Sequence, residues 1–263
     1  MSEYIPLKYY FDRDLALHLA DLIQSEYPRF TITSFVESVS TGVENKELKA
    51  RVEVIANTLK QHLPTDYEEA LAILLKILGP ENKTEEGMFT NGYFLMPVAY
   101  FVERYGLDHF DLSLHAMYEI TKRHTSEYAI RPYLIANSDR CMTYFQNWIK
   151  DPNSHVRRLV SEGTRPRLPW AKKIPPLKND VQNNLSLLEK LMCDSSRYVQ
   201  KSVANHINDL TKDNPEAVLT WIQKHISDNH GTNPKIIKHG LRTLIKSKDE
   251  HALELSRQVE QGV

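Results

Sequence analysis

Residues 155–174 read HVRRLVSEGTRPRLPWAKKI and join the end of a helix to a basic loop. Gly163 directly follows the helical run, which is typical of a helix C-terminus. Pro166 and Pro169 cannot extend that helix, because proline has no amide proton and its ring clashes with the preceding turn. The stretch therefore predicts a helix that breaks at Gly163 and a loop that holds Trp170 between a proline and a pair of lysines.

Two later stretches resemble the start of this helix and indicate a helical repeat. Val156 in HVRRLV, Val199 in YVQKSV and Ile236 in KIIKHGL lie 43 and 37 residues apart, and an apolar helix and a turn precede each of them. These spacings are typical of helical-pair repeats such as HEAT and armadillo, which stack into a solenoid lined by the second helices. We therefore predict an all-α fold, a curved right-handed solenoid of HEAT-like repeats of the ARM type.

The N-terminal part of the chain is also helical in pattern, and no stretch shows a convincing β-alternation. Four amphipathic segments stand out: Asp14–Gln24, Lys46–His62, Tyr67–Leu78 and Phe94–Tyr105. We assign residues 1–263 to a single HEAT-like repeat domain. Residues 1–110 are expected to form its N-terminal helical part, and residues 111–263 to form the repeats that carry the site.

The composition is that of a globular protein, with 41% apolar and 25% charged residues. No apolar run approaches the roughly 20 residues that span a bilayer, and the N-terminus lacks the features of a secretory signal. Cys141 and Cys193 are too far apart in sequence for a CxxC pair. We expect both to be small buried residues in a reducing cytosol.

The formal net charge of −1 conceals a strong asymmetry along the chain. Residues 1–121 carry 10 Lys and Arg against 19 Asp and Glu, whereas residues 150–178 carry 8 against 2. Such a local excess of cations is typical of a segment that binds a polyanion.

The second helices of the predicted repeats would gather polar side chains onto one surface. These are Glu127 and Arg131, then Arg158 and Glu162, then Lys201, Asn205 and Asp209, and finally Lys235, Lys238 and Arg242. A cationic groove that only binds phosphate has no use for carboxylates, because each would repel the ligand. Either the acids pair with the arginines or they meet a cationic group on the substrate. By its i, i+4 spacing alone, Arg158–Glu162 is better interpreted as an ordinary helix pair.

Other motifs are missing from the sequence or carry little information. There is no GxxxxGK[ST], no GxGxxG tied to a strand, no GxSxG and no zinc-type His/Cys spacing, so we expect no metal and no cofactor. His115, His124 and His155 are expected at turns or on the surface, and Trp148 and Trp221 in the core. Trp170 differs, since an exposed indole in a basic loop can stack on a base or sugar.

Three segments carry a resemblance to a known family. RHTSEYAIRPYLI (123–135), VRRLVSEGTRPRLPWAKKIPPL (156–177) and YVQKSVANHINDLTKDNP (198–215) resemble the AlkC branch of the alkylpurine DNA glycosylases, relatives of AlkD built from HEAT-like repeats. The match is strongest over roughly residues 105–260, and the run SEGTRPRLPW is long and unusual.

The resemblance implies base excision repair of duplex DNA. The reaction would be hydrolysis of the N-glycosidic bond of positively charged N-alkylated bases, chiefly 3-methyladenine, with 3-methylcytosine as a second candidate. Such a base leaves without a general acid, and a carboxylate would stabilise the oxocarbenium-like sugar or orient the water. The catalytic residues implied are Glu127, Glu162, Trp170 and Asp209. The DNA-binding residues implied or placed in the groove are Arg131, Arg158, Arg165, Arg167, Lys172, Lys173, Lys201, Asn205, Lys238 and Arg242.

Some AlkC members append an immunoglobulin-like domain, whereas this sequence is helical in pattern to its end, so we expect no such domain. We expect a monomer that binds alkylated duplex DNA and no membrane, in the bacterial cytoplasm near the nucleoid. Two alternatives remain: a non-catalytic HEAT-like scaffold for DNA or a protein, and a glycosylase for a different or bulkier lesion.

Overall fold

The computed structural model describes residues 5–86, 90–228 and 233–261, and helices are the only regular secondary structure in those ranges. The prediction of an all-α fold is confirmed. The chain divides into two compact units, residues 1–132 and residues 133–263. The division falls inside a helix rather than at residue 110, and the assignment to a single repeat domain stays a prediction.

The first unit packs six α-helices: α1 (Arg13–Glu26), α2 (Ile32–Gly42), α3 (Leu48–His62), α4 (Tyr67–Lys76), α5 (Met96–Tyr105) and α6 (Phe110–Thr121). Contacts run from α1 to α2 and α4, from α2 to α3, from α3 to α5, and from α4 and α5 to α6. Asp66 begins α4 by accepting the amide of Glu69 at 3.0 Å. Gly79, soon after the same helix, has a φ of +72°, a conformation that glycine adopts without a Cβ clash.

Helix α7 (Ile130–Trp148) crosses the boundary between the units and is interrupted at Asn137, where the backbone is extended. The Asn137 side chain accepts the amide of Arg140 at 3.0 Å. This is the hydrogen bond of an N-cap, so α7 consists of two helical segments, the second with its own cap.

The second unit continues with six helices in two layers: α8 (Ser154–Gly163), α9 (Val181–Glu189), α10 (Arg197–Thr211), α11 (Pro215–Ser227), α12 (Pro234–Lys246) and α13 (Glu250–Gln261). In one layer α10 packs between α8 and α12, and in the other α11 contacts both α9 and α13. This arrangement confirms the predicted helical-pair repeat, in which the second helices stack on one another.

The repeat is visible in how the stacked helices begin. Asn153, Ser196 and Asn233 lie immediately before α8, α10 and α12, and each side chain accepts a backbone amide of the first turn, at 2.9, 3.2 and 3.1 Å. A cap of this kind contributes about 1 kcal/mol. Each cap residue precedes an anchor residue of the sequence repeat by three positions, and all three anchors are buried. Cap and apolar anchor together fix where each helix starts.

Helices α10 and α12 approach each other closely at Gly240. A Cβ on Gly240 would lie 2.7 Å from Ile207 Cγ2, so only glycine fits there without a shift of Ile207. The same approach lets the Asn208 amide donate to Gly240 O at 3.0 Å and to Thr243 Oγ1 at 2.9 Å. These contacts with α12 fix the position of α10, the helix that carries the site residue Asp209.

Several predictions about single residues are corrected. His155 is buried in the first turn of α8, not at a turn or on the surface, and His124 lies at a bend as predicted but is buried. Cys193 is exposed, not buried. Trp148 is in the core as predicted, but Trp221 is only half-buried, where it stacks on His225.

Candidate active site

Helix α8 and the loop after it have the predicted form. The helix ends at Gly163, and Thr164 closes its last turn by donating its hydroxyl to Val160 O at 2.6 Å. The loop then folds back on itself, since the amide of Ile174 donates to Pro166 O at 3.1 Å. The chain therefore leaves the helix in a defined hairpin-like bend.

The Glu162 carboxylate lies at the end of α8 and is 6% exposed. Arg165 Nη1 donates to Glu162 Oε1 at 2.6 Å, and Arg158 Nη2 lies 3.6 Å from the same oxygen. The predicted pair of Arg158 and Glu162 is therefore present, with a second, closer arginine. On the other side, the hydroxyl of Ser202 donates to Glu162 Oε2 at 2.6 Å.

Arg165 connects two buried carboxylates. Its Nε donates to Asp209 Oδ2 at 2.8 Å while its Nη1 binds Glu162, and all three residues are at most 6% exposed. Burial alone would lower the pKa of Arg165, but the hydrogen bonds and charges of Asp209 and Glu162 outweigh it and raise the pKa above its ordinary value. Arg165 thus stays charged, and its charge offsets the cost of burying the carboxylates.

Asp209 is held less completely than Glu162. Its Oδ2 accepts from Arg165 at 2.8 Å, whereas its Oδ1 accepts from Lys212 Nζ at the longer distance of 3.5 Å. Lys212 is on the exposed side of the helix end, with about a third of its side chain accessible. One oxygen of Asp209 therefore keeps acceptor capacity that Arg165 does not use.

Trp170 extends from the loop into solvent. It is 77% exposed, and its φ of +61° puts a bulky residue in the left-handed region of the backbone. The neighbouring amide of Ala171 donates to Leu168 O at 3.2 Å, which stabilises the turn. A strained and exposed tryptophan is rarely kept for packing, and such backbone outliers concentrate at functional sites.

Arg167 and Lys173 share an acidic partner. Arg167 donates to both carboxylate oxygens of Asp213, at 2.7 and 3.0 Å, and Lys173 Nζ donates to it at 2.9 Å. The hydrogen bond from Arg167 and the weaker effect of Lys173 together lower the pKa of Asp213 to about 2. Lys172, which lies between them in sequence, is exposed.

A second polar group lies where α10 faces α12. Lys201, Asn205 and Asp209 follow one another along α10, exposed, half-buried and buried in turn. Asn205 Oδ1 lies 3.0 Å from His239 Nε2 and accepts from Arg242 Nη2 at 3.1 Å. The sequence patterns gave no sign of His239.

The charged side chains on and near α12 affect this second polar group. Burial lowers the pKa of His239, and the cations of Arg242 and Lys201 lower it further. Lys238, the remaining predicted contact of α12, forms an ion pair with Glu260.

Glu127 and Arg131 lie in the first unit and are both buried. The Thr125 hydroxyl donates to Glu127 Oε2 at 2.9 Å, and Thr125 Oγ1 in turn accepts the Glu127 amide at 3.2 Å. Burial raises the pKa of Glu103, and the charges of Lys49 and Arg131 oppose that rise.

Within the described part of the chain, no three His, Cys, Asp or Glu side chains cluster as metal ligands. Nor is any helix in those ranges both long and apolar enough to cross a membrane.

Fold and site together define an all-helical repeat protein with a buried carboxylate–arginine cluster beside a basic loop. A family model described as DNA alkylation repair enzyme matches residues 36–235. The chain belongs to that family.

Two known proteins are similar over almost the whole chain. The YhaZ protein of Bacillus subtilis (strain 168) is 39% identical over 253 residues, which cover 95% of this chain and 67% of YhaZ. A solved structure of Pseudomonas fluorescens alkylpurine DNA glycosylase AlkC, bound to DNA containing an abasic site analog, matches with a TM-score of 0.82 and 34% identity. That match covers 96% of this chain and 68% of AlkC. The predicted resemblance to AlkC is confirmed.

Proposed function

We propose that this protein is a DNA glycosylase that hydrolyses the N-glycosidic bond of positively charged N-alkylated bases in duplex DNA. Its chief substrate would be 3-methyladenine, with 3-methylcytosine as a second. Membership of the DNA alkylation repair family and the similarity to AlkC support this activity. The observation that carries the proposal is the buried cluster in which Arg165 bridges Glu162 and Asp209.

The cluster suits a reaction that develops positive charge on a sugar. An alkylated base that is already cationic leaves without protonation, so the barrier lies in forming the oxocarbenium-like deoxyribose. Fixed carboxylates stabilise that charge without reorganising during the reaction. Arg165 offsets their charge in the free protein and prevents them from moving apart.

The two carboxylates would have different tasks. Both oxygens of Glu162 have a donor at 2.6 Å, so we assign Glu162 to electrostatic stabilisation of the sugar. Asp209 Oδ1 accepts from a lysine at the long distance of 3.5 Å, so we assign it to accept a proton from the attacking water. Glu127 keeps the catalytic role that its sequence resemblance gives it.

The remaining site residues would bind the DNA. Trp170 offers an exposed flat surface for stacking against the lesion nucleotide. Cations and amides would contact the phosphates: Arg131, Arg158, Arg167, Lys172, Lys173, Lys201, Asn205, Lys238 and Arg242. We reassign Arg165 from phosphate contact to positioning of the carboxylates, because it is buried and donates to both.

The test is release of free methylated bases from alkylated genomic DNA, followed by single-turnover excision from a defined 3-methyladenine duplex. Glu162→Gln and Asp209→Asn should reduce excision to a residual rate that is visible only over long incubations, and both should keep affinity for duplex containing an abasic site analog. Asp213→Asn is the matched control, since this carboxylate also binds cations of the loop but is partly exposed. It should retain the wild-type rate.

The result also decides between the alternatives. Wild-type protein that binds duplex but releases no base would favour the scaffold, and release of other bases would indicate a different lesion. Excision by both carboxylate variants at the wild-type rate would remove Glu162 and Asp209 from the mechanism.

A further inference from the structure

A serine to which the sequence patterns assign no role holds the Glu162 carboxylate from the neighbouring helix. Ser202 is on α10, is 2% exposed, and donates its hydroxyl to Glu162 Oε2 at 2.6 Å. Its hydroxyl oxygen also lies 3.0 Å from that of Ser161, which is fully buried on α8. Two hydroxyls and one carboxylate thus form a chain across the contact between α8 and α10.

The direction of the protons in this chain follows from the number of donors. A serine hydroxyl has one proton, and a carboxylate can only accept, so the Ser202 proton goes to Glu162. The Ser161 hydroxyl must then supply the proton of the Ser161–Ser202 bond. Successive hydrogen bonds of this kind polarise each other in a low-dielectric interior, which strengthens the final bond to the carboxylate.

The backbone that carries Ser161 is fixed as well. His206 is fully buried on α10, and its Nδ1 lies 3.0 Å from Ser161 O, which can only accept. His206 Nε2 is therefore left as the acceptor for the Asn184 amide at 3.0 Å. Asn184 also accepts the amide of Leu177, where the basic loop ends.

We propose that Ser202 is a positioning residue of the glycosylase reaction: it fixes the orientation of the Glu162 carboxylate, which would contact the sugar. The inference rests on the proposed function. Arg165 donates to one oxygen of Glu162 and Ser202 donates to the other. The plane of the carboxylate is therefore fixed only when both donors are present. Without Ser202 the carboxylate can rotate about its last bond and still keep its ion pair.

The experiment compares Ser202→Ala with Ser161→Ala in single-turnover excision from a 3-methyladenine duplex. Ser202→Ala should reduce the rate roughly 10- to 100-fold, the effect of losing one hydrogen bond to a charged group. Its affinity for abasic-analog duplex should stay within about twofold of wild type, since the serine would not contact DNA. Ser161→Ala removes a hydroxyl from the same buried chain but leaves the bond to Glu162, so its rate should fall less than about threefold.

Two further variants separate positioning from simple packing. Ser202→Cys retains a weak donor of similar size and should recover part of the lost rate. In a Glu162→Gln background, with residual excision measured over long incubations, Ser202→Ala should cause no additional loss, because both changes affect the same group.

Several results would overturn the inference. These are a Ser202→Ala rate equal to wild type, equal losses in Ser202→Ala and Ser161→Ala, or a full further loss in the Glu162→Gln background. Each leaves the proposed function intact as long as wild-type protein releases methylated bases. Wild-type protein without release would instead refute the proposed function itself.

Discussion

Replacing Arg165 by methionine tests whether one buried cation holds the two carboxylates. In the wild type, Arg165 donates to Glu162 at 2.6 Å and to Asp209 at 2.8 Å, with its own side chain 7% exposed. Methionine fills similar space but leaves both carboxylates without their closest cation. Arg158 would remain 3.6 Å from Glu162, and Lys212 would remain 3.5 Å from Asp209.

The expected loss of stability is large. Removing one partner of a buried ion pair typically costs about 3–5 kcal/mol, because the other charge is left desolvated and uncompensated. A domain with a free energy of unfolding of roughly 5–15 kcal/mol would remain folded, but its urea midpoint would fall clearly. Equilibrium urea unfolding followed by circular dichroism at neutral pH measures the change.

Arg167→Met is the matched control. Arg167 also makes two hydrogen bonds to carboxylate oxygens, both of them on Asp213. Unlike Arg165 it is exposed to solvent, where ion pairs contribute little to stability. Its urea midpoint should fall much less than that of Arg165→Met. Adding Glu162→Gln and Asp209→Asn to Arg165→Met should restore much of the lost stability, because no buried charge then lacks a partner. Equal unfolding midpoints for Arg165→Met and Arg167→Met would refute the account of the cluster.

Three further outcomes follow from the exposed groups. Lys172→Ala should weaken duplex binding regardless of sequence and lower the slope of log K against log salt by about 1, so an unchanged slope in a titration would exclude a phosphate contact. Burial and the cations Arg242 and Lys201 lower the pKa of His239 in the free protein. A DNA phosphate bound beside His239 would raise that pKa, so DNA binding is coupled to uptake of a proton. DNA affinity should therefore rise as the pH falls towards and below 6.5, and His239→Gln should abolish this dependence in anisotropy measurements. Asp213 has a pKa of about 2 against an ordinary 3.8, so its contribution to stability is complete above pH 3.8 and lost towards pH 2; Asp213→Asn should flatten acid unfolding in that window.

The repeat could be predicted from sequence because its signals are local. Val156, Val199 and Ile236 are apolar anchors at the same distance after an Asn or Ser cap, and each cap satisfies amides only two or three residues away. Interactions over such short distances act before the helices pack. For the same reason the end of α8 at Gly163 was predictable from the glycine and the two prolines.

Only part of the buried carboxylate–arginine cluster could be predicted from the sequence in this way. The spacing of Arg158 and Glu162 predicted their pairing on one helix, and that pair is present. Nothing in the sequence indicates that Arg165 bridges to Asp209, since 44 residues separate them and the bond depends on how α8 and α10 pack. Ser202 was missed because a serine in a helix carries no signal until its neighbour across the contact is known.

The sequence patterns also failed to predict which polar residues are buried. His155 was expected at the surface, but its ring packs edge-on against Tyr198 at 5.4 Å between the stacked helices. A helix such as α10, which has neighbours on both sides, buries polar side chains that a two-sided amphipathic pattern assigns to solvent. Periodicity identifies one apolar stripe and does not reveal a second contact.

The exposed position of Trp170 gives the protein an intrinsic optical reporter. The chain has three tryptophans; Trp148 is 6% exposed and Trp221 half-buried, so quenching by acrylamide should act mainly on Trp170 at 77% exposure. An indole that stacks on a nucleotide loses water and couples electronically to the base. Emission from unlabelled protein should therefore dim and resist the quencher when a damaged strand docks, which makes the timing of that event measurable by stopped flow.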